Sequence, residues 1–406
     1  MSPLTIVGSQ VRGRLGLMAI ALVGGLVLSG CSGPSKPKPA RLNDFKSELS
    51  LKVVWQSSAG RTSPASSGQG WFSPGVSDGL VVIAERAGVV RAFDLSTGAS
   101  KWTVDLKAPI QAGVASGGGA GEGSFAVVTQ AGDLTLIDSK GELRWRVPLG
   151  GLPLEAPVLS GGHAVVRLAD NRVVAWSLVS GERRWVFQRT LPSLVLHGQS
   201  GMRGIASTNE EASGEGLGVA DLLVGLPGGR LAWLSGANGA LRWETQAAVP
   251  RGSNEVERIA DLLGAPSIFA DTVCVSAYQT QVACHAVENG RPIWQKRFAG
   301  ALPLAIDQRL VVGVDSSDRI TAFERSQGES LWTQEGLFLR RLSAPVSFDR
   351  AIWVADGEGY LHGLSRESGQ FIARMRLDAK PSGPMRVTKQ GLVVQTESGR
   401  LYLLRP

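Results

Sequence analysis

The sequence predicts an all-β fold: an eight-bladed β-propeller of four-stranded antiparallel blades, its ring closed by strands from both termini in the last blade. Three observations carry that expectation. A strand–turn–strand pattern recurs seven times, its spacing is that of a propeller blade, and an incomplete eighth copy at the carboxyl end is matched by a lone strand at the amino end. Composition agrees: 43% of the 406 residues are apolar, 19% are charged and 52 are glycine, which excludes a disordered chain, while three cysteines exclude a small disulfide-stapled one. The formal net charge of +7 suits an anionic surface as well as nucleic acid and selects neither.

In chain order the amino terminus comes first. Arg12 and Arg14 precede an uncharged apolar run from Leu15 to Leu28, with no acidic residue before Asp44, which is the order of an export signal. The run is about 14 residues, short of the roughly 20 a spanning helix needs, so the segment should be removed rather than kept as an anchor. It ends in Leu28-Ser29-Gly30-Cys31, which resembles the bacterial lipobox, where the signal is cut before a cysteine that is then acylated. Residues 1–30 therefore read as a lipoprotein signal peptide and Cys31 as the lipidation site. Several acyl chains on one cysteine hold a protein to a membrane stably, at roughly 0.8 kcal/mol per buried methylene. Ser32 stands where an Asp would imply retention at the inner membrane, so the expected location is the periplasmic face of the outer membrane. Residues 31–50, rich in Ser, Pro and Lys without apolar periodicity, read as the lipidated cysteine and a flexible tether. The mature charge of about +5 beside an anionic lipid surface needs no nucleic-acid partner.

Residues 51–406 read as the propeller. Leu51 to Trp55 supply a first strand and a tryptophan. The seven copies then follow at 89–102, 134–145, 173–185, 231–243, 282–294, 320–332 and 361–373. In each, a strand-like run meets a turn ending in glycine, and the position four residues later is Trp in six copies and Ala373 in the seventh. Composition alone would give about 1.4 Gly-x-x-x-Trp pairs; seven occur, six of them in phase, so the pattern is not chance. Trp102, Trp145, Trp185, Trp243, Trp294 and Trp332 are spaced by 43, 40, 58, 51 and 38 residues, the period of a four-stranded blade with loop insertions. The glycine suits a positive-φ turn position, and the tryptophan, in the outermost strand, should cover the contact between neighbouring blades. An eighth third strand, Gly399 to Leu404, stops at Pro406 with no fourth strand after it, and Leu51 to Trp55 supplies the missing one. That makes 356 residues, or 44.5 per blade; seven blades with a terminal extension is the alternative.

Long connections and reactive side chains come next. Between Trp185 and Trp243 the chain runs about 14 residues beyond the mean period, and Pro192 to Leu196 place apolar side chains there. Apolar loop residues on a rigid scaffold signal a partner site, the alternative being that Leu194 and Leu196 fold back over the propeller. The Gly-rich stretch 117–123 lacks the Lys-Ser/Thr of a phosphate loop, and 209–218 reads as a solvated acidic loop. Cys274 and Cys284 lie in consecutive strand-like runs, where they could face each other across a hairpin as a structural disulfide; two buried free thiols are the other reading. The four histidines, 163, 197, 285 and 362, have no metal-ligand spacing, and there is no HExxH, no Gly-x-Ser-x-Gly and no Walker loop, so no metal or catalytic site is expected.

Ala92-Phe93-Asp94-Leu95-Ser96-Thr97-Gly98-Ala99-Ser100-Lys101-Trp102 resembles the repeat of the pyrroloquinoline quinone dehydrogenases. With the lipobox and a single bare propeller, the whole mature chain looks more like the BamB family, the propeller lipoproteins of the outer-membrane β-barrel assembly machinery. Three segments sharpen that likeness: Leu191-Pro192-Ser193-Leu194-Val195-Leu196-His197-Gly198 is similar to the family's P-S-L-x-L-R-G loop, Glu255-Val256-Glu257-Arg258-Ile259-Ala260-Asp261 to its acidic loop, and Ser343-Ala344-Pro345-Val346 with Gly357 to His362 to its S-P-V…G-x-G-Y-L-H. The resemblance implies that the two loops meet BamA through its periplasmic POTRA domains, with Leu194, Leu196 and His197 on one and Glu257, Arg258 and Asp261 on the other. His197 stands where the family pattern has Arg, and a neutral imidazole lacks the bidentate guanidinium fork.

The function implied is that of a non-enzymatic scaffold that binds BamA and aids insertion of unfolded outer-membrane proteins, with no cofactor. A quinoprotein-type, PQQ-binding enzyme is the alternative, in which Trp176, Trp233 or Trp353 would stack on the quinone; the adjacent Cys-Cys pair of its alcohol-oxidising members is missing. Binding of cell-wall polysaccharide is a third reading, fitted by the basic balance and the extra aromatics.

Overall fold

A computed structural model describes residues 37–58, 72–117, 122–190, 200–205, 221–249 and 259–406. Within 40–406, the described residues form eight four-stranded antiparallel sheets, arranged as the blades of a propeller. Blade 1 runs outward from the ring axis as Gly75–Ser77, Leu80–Ala84, Val89–Asp94 and Ser100–Asp105, and blades 2 to 7 repeat that order at 110–148, 158–187, 202–246, 267–297, 305–334 and 346–376. Blade 8 takes Arg386–Thr388, Gly391–Gln395 and Arg400–Arg405 from the carboxyl end, and Lys52–Ser58 pairs antiparallel with the last of these. The closure expected from the sequence is therefore the one observed, with eight blades rather than seven.

The burial pattern follows from this stacking. Second strands such as Leu80–Ala84 and Ala351–Ala355 are buried at every residue, because each sheet is covered by a neighbouring blade on both faces. Outermost strands alternate instead: in Leu143–Pro148 only Trp145 is fully buried. The core is thus a set of apolar layers between blades. Trp55, Val81, Ile83, Phe93, Leu95, Val393, Leu401 and Leu403, for example, fill the seam between blades 8 and 1.

The repeated Gly and Trp meet across these seams. Trp55 of blade 8 lies on Gly98 of blade 1, where a Cβ would come within 2.5 Å of the indole, and its Nε1 donates to Leu95 O at 3.0 Å. Gly98 has φ +72°, so backbone and neighbour both require glycine there. The same staple recurs from Trp102 to Gly141, Trp145 to Gly181, Trp185 to Gly239, Trp243 to Gly290, Trp294 to Gly328 and Trp332 to Gly369. Each of these indoles also donates to a carbonyl in the turn it covers, at 2.7–3.0 Å. The exception at Ala373 now has a cause. Its partner would be the turn joining the third and fourth strands of blade 8, and that junction is the gap between the two chain ends.

Another segment covers this last seam. Leu49 and Leu51 are buried in one cluster with Ala373, Met385 and Tyr402, and Glu48 N and Leu49 N donate to Ile372 O at 2.8 and 3.0 Å. Further back, Arg374 Nη1 donates to Asn43 O and Arg340 Nη1 to Ala40 O, both at 2.9 Å. Phe45 packs on Phe371 with ring centroids 5.7 Å apart. Residues 40–50, assigned from composition to the tether, thus belong to the folded body, whose compact unit begins at Ala40. Polar composition hid them because they are held through backbone groups and three spaced apolar side chains, Leu42, Phe45 and Leu49.

Candidate partner-binding site

Blades are joined from the outermost strand of one to the innermost strand of the next, so such connections emerge on one rim of the ring. The two loops singled out in the sequence are both of this kind: 188–201 joins blade 3 to blade 4, and 247–266 joins blade 4 to blade 5. Leu194, Leu196, His197, Glu257 and Arg258 lie outside the described residues, as does Cys31. The stems that carry the loops are described, and they are fastened to each other.

At their carboxyl ends, Ser200 and Gly264 form a parallel bridge, with Gly201 N donating to Gly264 O at 2.9 Å. A Cβ on Gly201 would lie 2.5 Å from Ala265 N, so the two backbones touch with no room for a side chain. Arg167, 1% exposed, crosses beneath: Nη1 donates to Gly225 O at 2.6 Å and Nη2 to Ser200 O. Its Nε lies 3.3 Å from Glu155 Oε1, and Glu155 Oε2 accepts from Met202 N at 3.0 Å. Burial pushes the Glu155 carboxyl above its ordinary range, against the opposing pull of Arg167 and the Met202 N–H. At the amino end of the first loop, Arg189 Nε and Arg230 Nη1 each meet Glu244 at 3.1 Å, tying that stem to the outermost strand of blade 4.

Asp261 behaves differently from a surface contact. It is 2% exposed, and its Oδ1 accepts from Gly228 N at 2.7 Å while Tyr278 N donates to its carbonyl at 2.9 Å. The side chain braces the stem of the second loop against a turn of blade 4. The sequence offered no sign of this inward role, since the run 255–261 reads, by its resemblance, as a loop that meets a partner. Arg167 and Glu155 were missed as well; the one signal was an arginine ending the otherwise apolar run Ala164–Val166.

The remaining residues singled out in the sequence lie elsewhere. Cys274 and Cys284 face each other on adjacent strands of blade 5 and are joined by a disulfide, Cα to Cα 4.1 Å. His285, on the opposite face from Cys284, is buried, with Nδ1 3.0 Å from Gly290 O. Among the described residues no three His, Cys, Asp or Glu are placed to hold a metal. Trp176, Trp233 and Trp353 sit on second or third strands within the inter-blade core; Trp353 is fully buried, and Trp233 packs edge-on against Trp243 with centroids 5.7 Å apart. None is on an innermost strand.

Comparison with known proteins fits this geometry. The family model described as outer membrane protein assembly factor BamB matches residues 86–334. A protein of Bordetella pertussis named outer membrane protein assembly factor BamB is 35% identical over 97% of this chain and 98% of its own. The crystal structure of BamB from Moraxella catarrhalis superposes with a TM-score of 0.74 at 22% identity, covering 88% of this chain and all of that one (100%). A quinohemoprotein alcohol dehydrogenase from Comamonas testosteroni shares the fold more distantly, with a TM-score of 0.59 at 12% identity over 87% of this chain and 76% of its own. With most of its propeller matched by the family model and nearly its whole length by a curated relative, this chain belongs to the BamB family of outer-membrane protein assembly factors.

Proposed function

We propose that this protein is a non-enzymatic scaffold of outer-membrane protein assembly, held to the periplasmic face of the outer membrane by lipid on Cys31 and docked to the POTRA domains of BamA through the loops 191–199 and 250–258. The observation that carries this reading is the bridge between Ser200 and Gly264, which fixes the stems of the two loops side by side on one rim. A partner domain can then meet both at once, and a rigid presentation reduces the ordering entropy lost on binding. Leu194 and Leu196 are assigned as the apolar anchors, with His197, Glu257 and Arg258 as polar contacts around them. Asp261, braced inward, acts by positioning the second loop.

The test is copurification with BamA. Leu194→Glu with Leu196→Glu should abolish it, and the urea midpoint of the variant, measured alongside, separates loss of the contact from loss of the fold. Retention of BamA by that double variant would remove the assignment of the first loop. Binding should also persist at high salt, because exposed charge pairs are screened there and apolar contacts are not.

A further inference from the structure

The eight innermost strands stand around the ring axis, and their pairing with the second strands places them in a common register. The residue opposite the third position of the second strand is small or apolar in six blades, Gly75 and Ser267 among them. In the other two it is Arg203, opposite Leu223, and Arg386, opposite Val393. These belong to blades 4 and 8, half a turn apart in a ring of eight, so the two side chains face each other across the axis.

Their surroundings are unusual for arginine. Both are solvent-exposed, yet burial pushes each guanidinium below its ordinary range, and at Arg386 the charge of Arg203 adds to that effect. Both cations therefore stand on solvent-exposed positions of innermost strands and are close enough for their charges to interact. Arg386 is held there, with Nε donating to Pro74 O at 3.2 Å and Nη2 to Ser73 Oγ at 3.1 Å, which leaves Nη1 unengaged. Among the described residues Arg203 has no ion pair or hydrogen bond, and no carboxylate of theirs offsets either charge. Low-dielectric walls focus the resulting positive potential onto the axis.

We propose that Arg203 and Arg386 form a clamp for a phosphate-type oxyanion on the axis of the propeller. A tetrahedral dianion can offer an edge of two oxygens to the fork of Arg203 and a further oxygen to Nη1 of Arg386, and its two charges match the two cations; a single carboxylate has one such edge and one charge. The ligand is inorganic phosphate or the phosphate monoester of a larger molecule. The clamp does not rest on the reading of the partner loops, so its test and the copurification test can fail separately.

Isothermal titration calorimetry of the full mature chain in detergent tests this, with inorganic phosphate and glycerol 3-phosphate as probes and chloride holding ionic strength constant. At least one probe should bind saturably at one per chain, weakened at least about tenfold by Arg203→Gln, a difference well above the precision of such constants. Arg203 has no hydrogen-bond or ion-pair partner to lose among the described residues, so this variant should keep the fold, and Arg184→Gln on the outer surface should bind as the parent does. Arg386→Lys, which keeps the charge and loses the fork, should fall between. Tighter binding of the ester identifies a phosphorylated metabolite or headgroup as the source, and tighter binding of phosphate identifies the free ion. No saturable binding of either probe, binding unchanged in Arg203→Gln, or succinate binding as tightly as both would overturn the proposal.

Discussion

His362 shows how a single residue is set by its neighbours. It is fully buried, with Arg374 Nε donating to its Nδ1 at 3.3 Å, so the proton sits on Nε2, which donates to Asp356 Oδ2 at 3.0 Å. Burial lowers its pKa from the ordinary 6.5 despite the pull of Asp356. Asp356 is resisted by burial too, but hydrogen bonds from His362, the Tyr360 N–H and Arg340 outweigh that and bring it from 3.8 down to about 2. The two shifts act in different windows. The unfolded chain protonates this histidine below about pH 6.5 and the folded chain refuses the proton, so stability declines as pH falls through that value; the Asp356 contribution persists until the pH falls from 3.8 towards about 2. His163 and His285, also lowered by burial, act in the same direction as His362. The urea midpoint should therefore drop between about pH 8 and about pH 5, and His362→Gln should make that drop shallower. An equal drop in the variant would exclude His362 as a contributor.

At the scale of the element, the unit is the glycine turn together with the indole that covers it. Gly239 has φ +71°, and a Cβ there would stand 2.5 Å from Trp185 Cε3. Gly239→Ala meets two penalties: a left-handed backbone that costs an L-residue roughly 1–2 kcal/mol, and displacement of the indole from its bond to Gly236 O. Chemical denaturation should show a loss of at least about 2 kcal/mol, larger than for an exposed turn glycine such as Gly79, which has nothing within 4 Å of its Cβ position. Similar losses for Gly79→Ala and Gly239→Ala would mean that the backbone alone, and not the tryptophan, sets the requirement. The same logic explains Ala373. Where the chain has no turn to cover, a tryptophan has no carbonyl to meet, and the position is filled by Leu49 and Leu51 instead.

For the whole molecule, the ring is held by seven staples and one seam of a different kind, that between blades 7 and 8, where Leu49 and Leu51 of the segment 40–51 join the apolar layer, while pairing of Lys52–Ser58 with Arg400–Arg405 completes blade 8 itself. Deleting residues 40–50 would expose Ala373 and Met385, leave Ile372 O without the donors Ser47 Oγ, Glu48 N and Leu49 N, and free Arg340 and Arg374 from the carbonyls of Ala40 and Asn43. The shortened chain should retain its far-ultraviolet β signal but melt several degrees lower, with hydrogen exchange faster first in blades 7 and 8. A melting temperature equal to the parent's would return the segment to the role of tether. Exchange that rises evenly around the ring would mean instead that the blades open as one unit.

The sequence by itself determined the architecture: the Gly-x-x-x-Trp period, the alternation of the outermost strands and the unmatched ends specify eight blades and their closure, because each blade repeats the same local problem of turning and covering. Tertiary structure alone decided what happens where the repeat stops. The reach of the body back to Ala40 is invisible in composition, since it rests on backbone carbonyls taken up by Arg340 and Arg374 from hundreds of residues away. The inward role of Asp261 depends on a turn 33 residues earlier, and the pairing of Ser200 with Gly264 on two stems that are distant in the chain. The confrontation of Arg203 and Arg386 belongs here too. Each sits on a short strand of ordinary composition, and only the eightfold closure of the ring, which sets blade 4 opposite blade 8, brings their charges together.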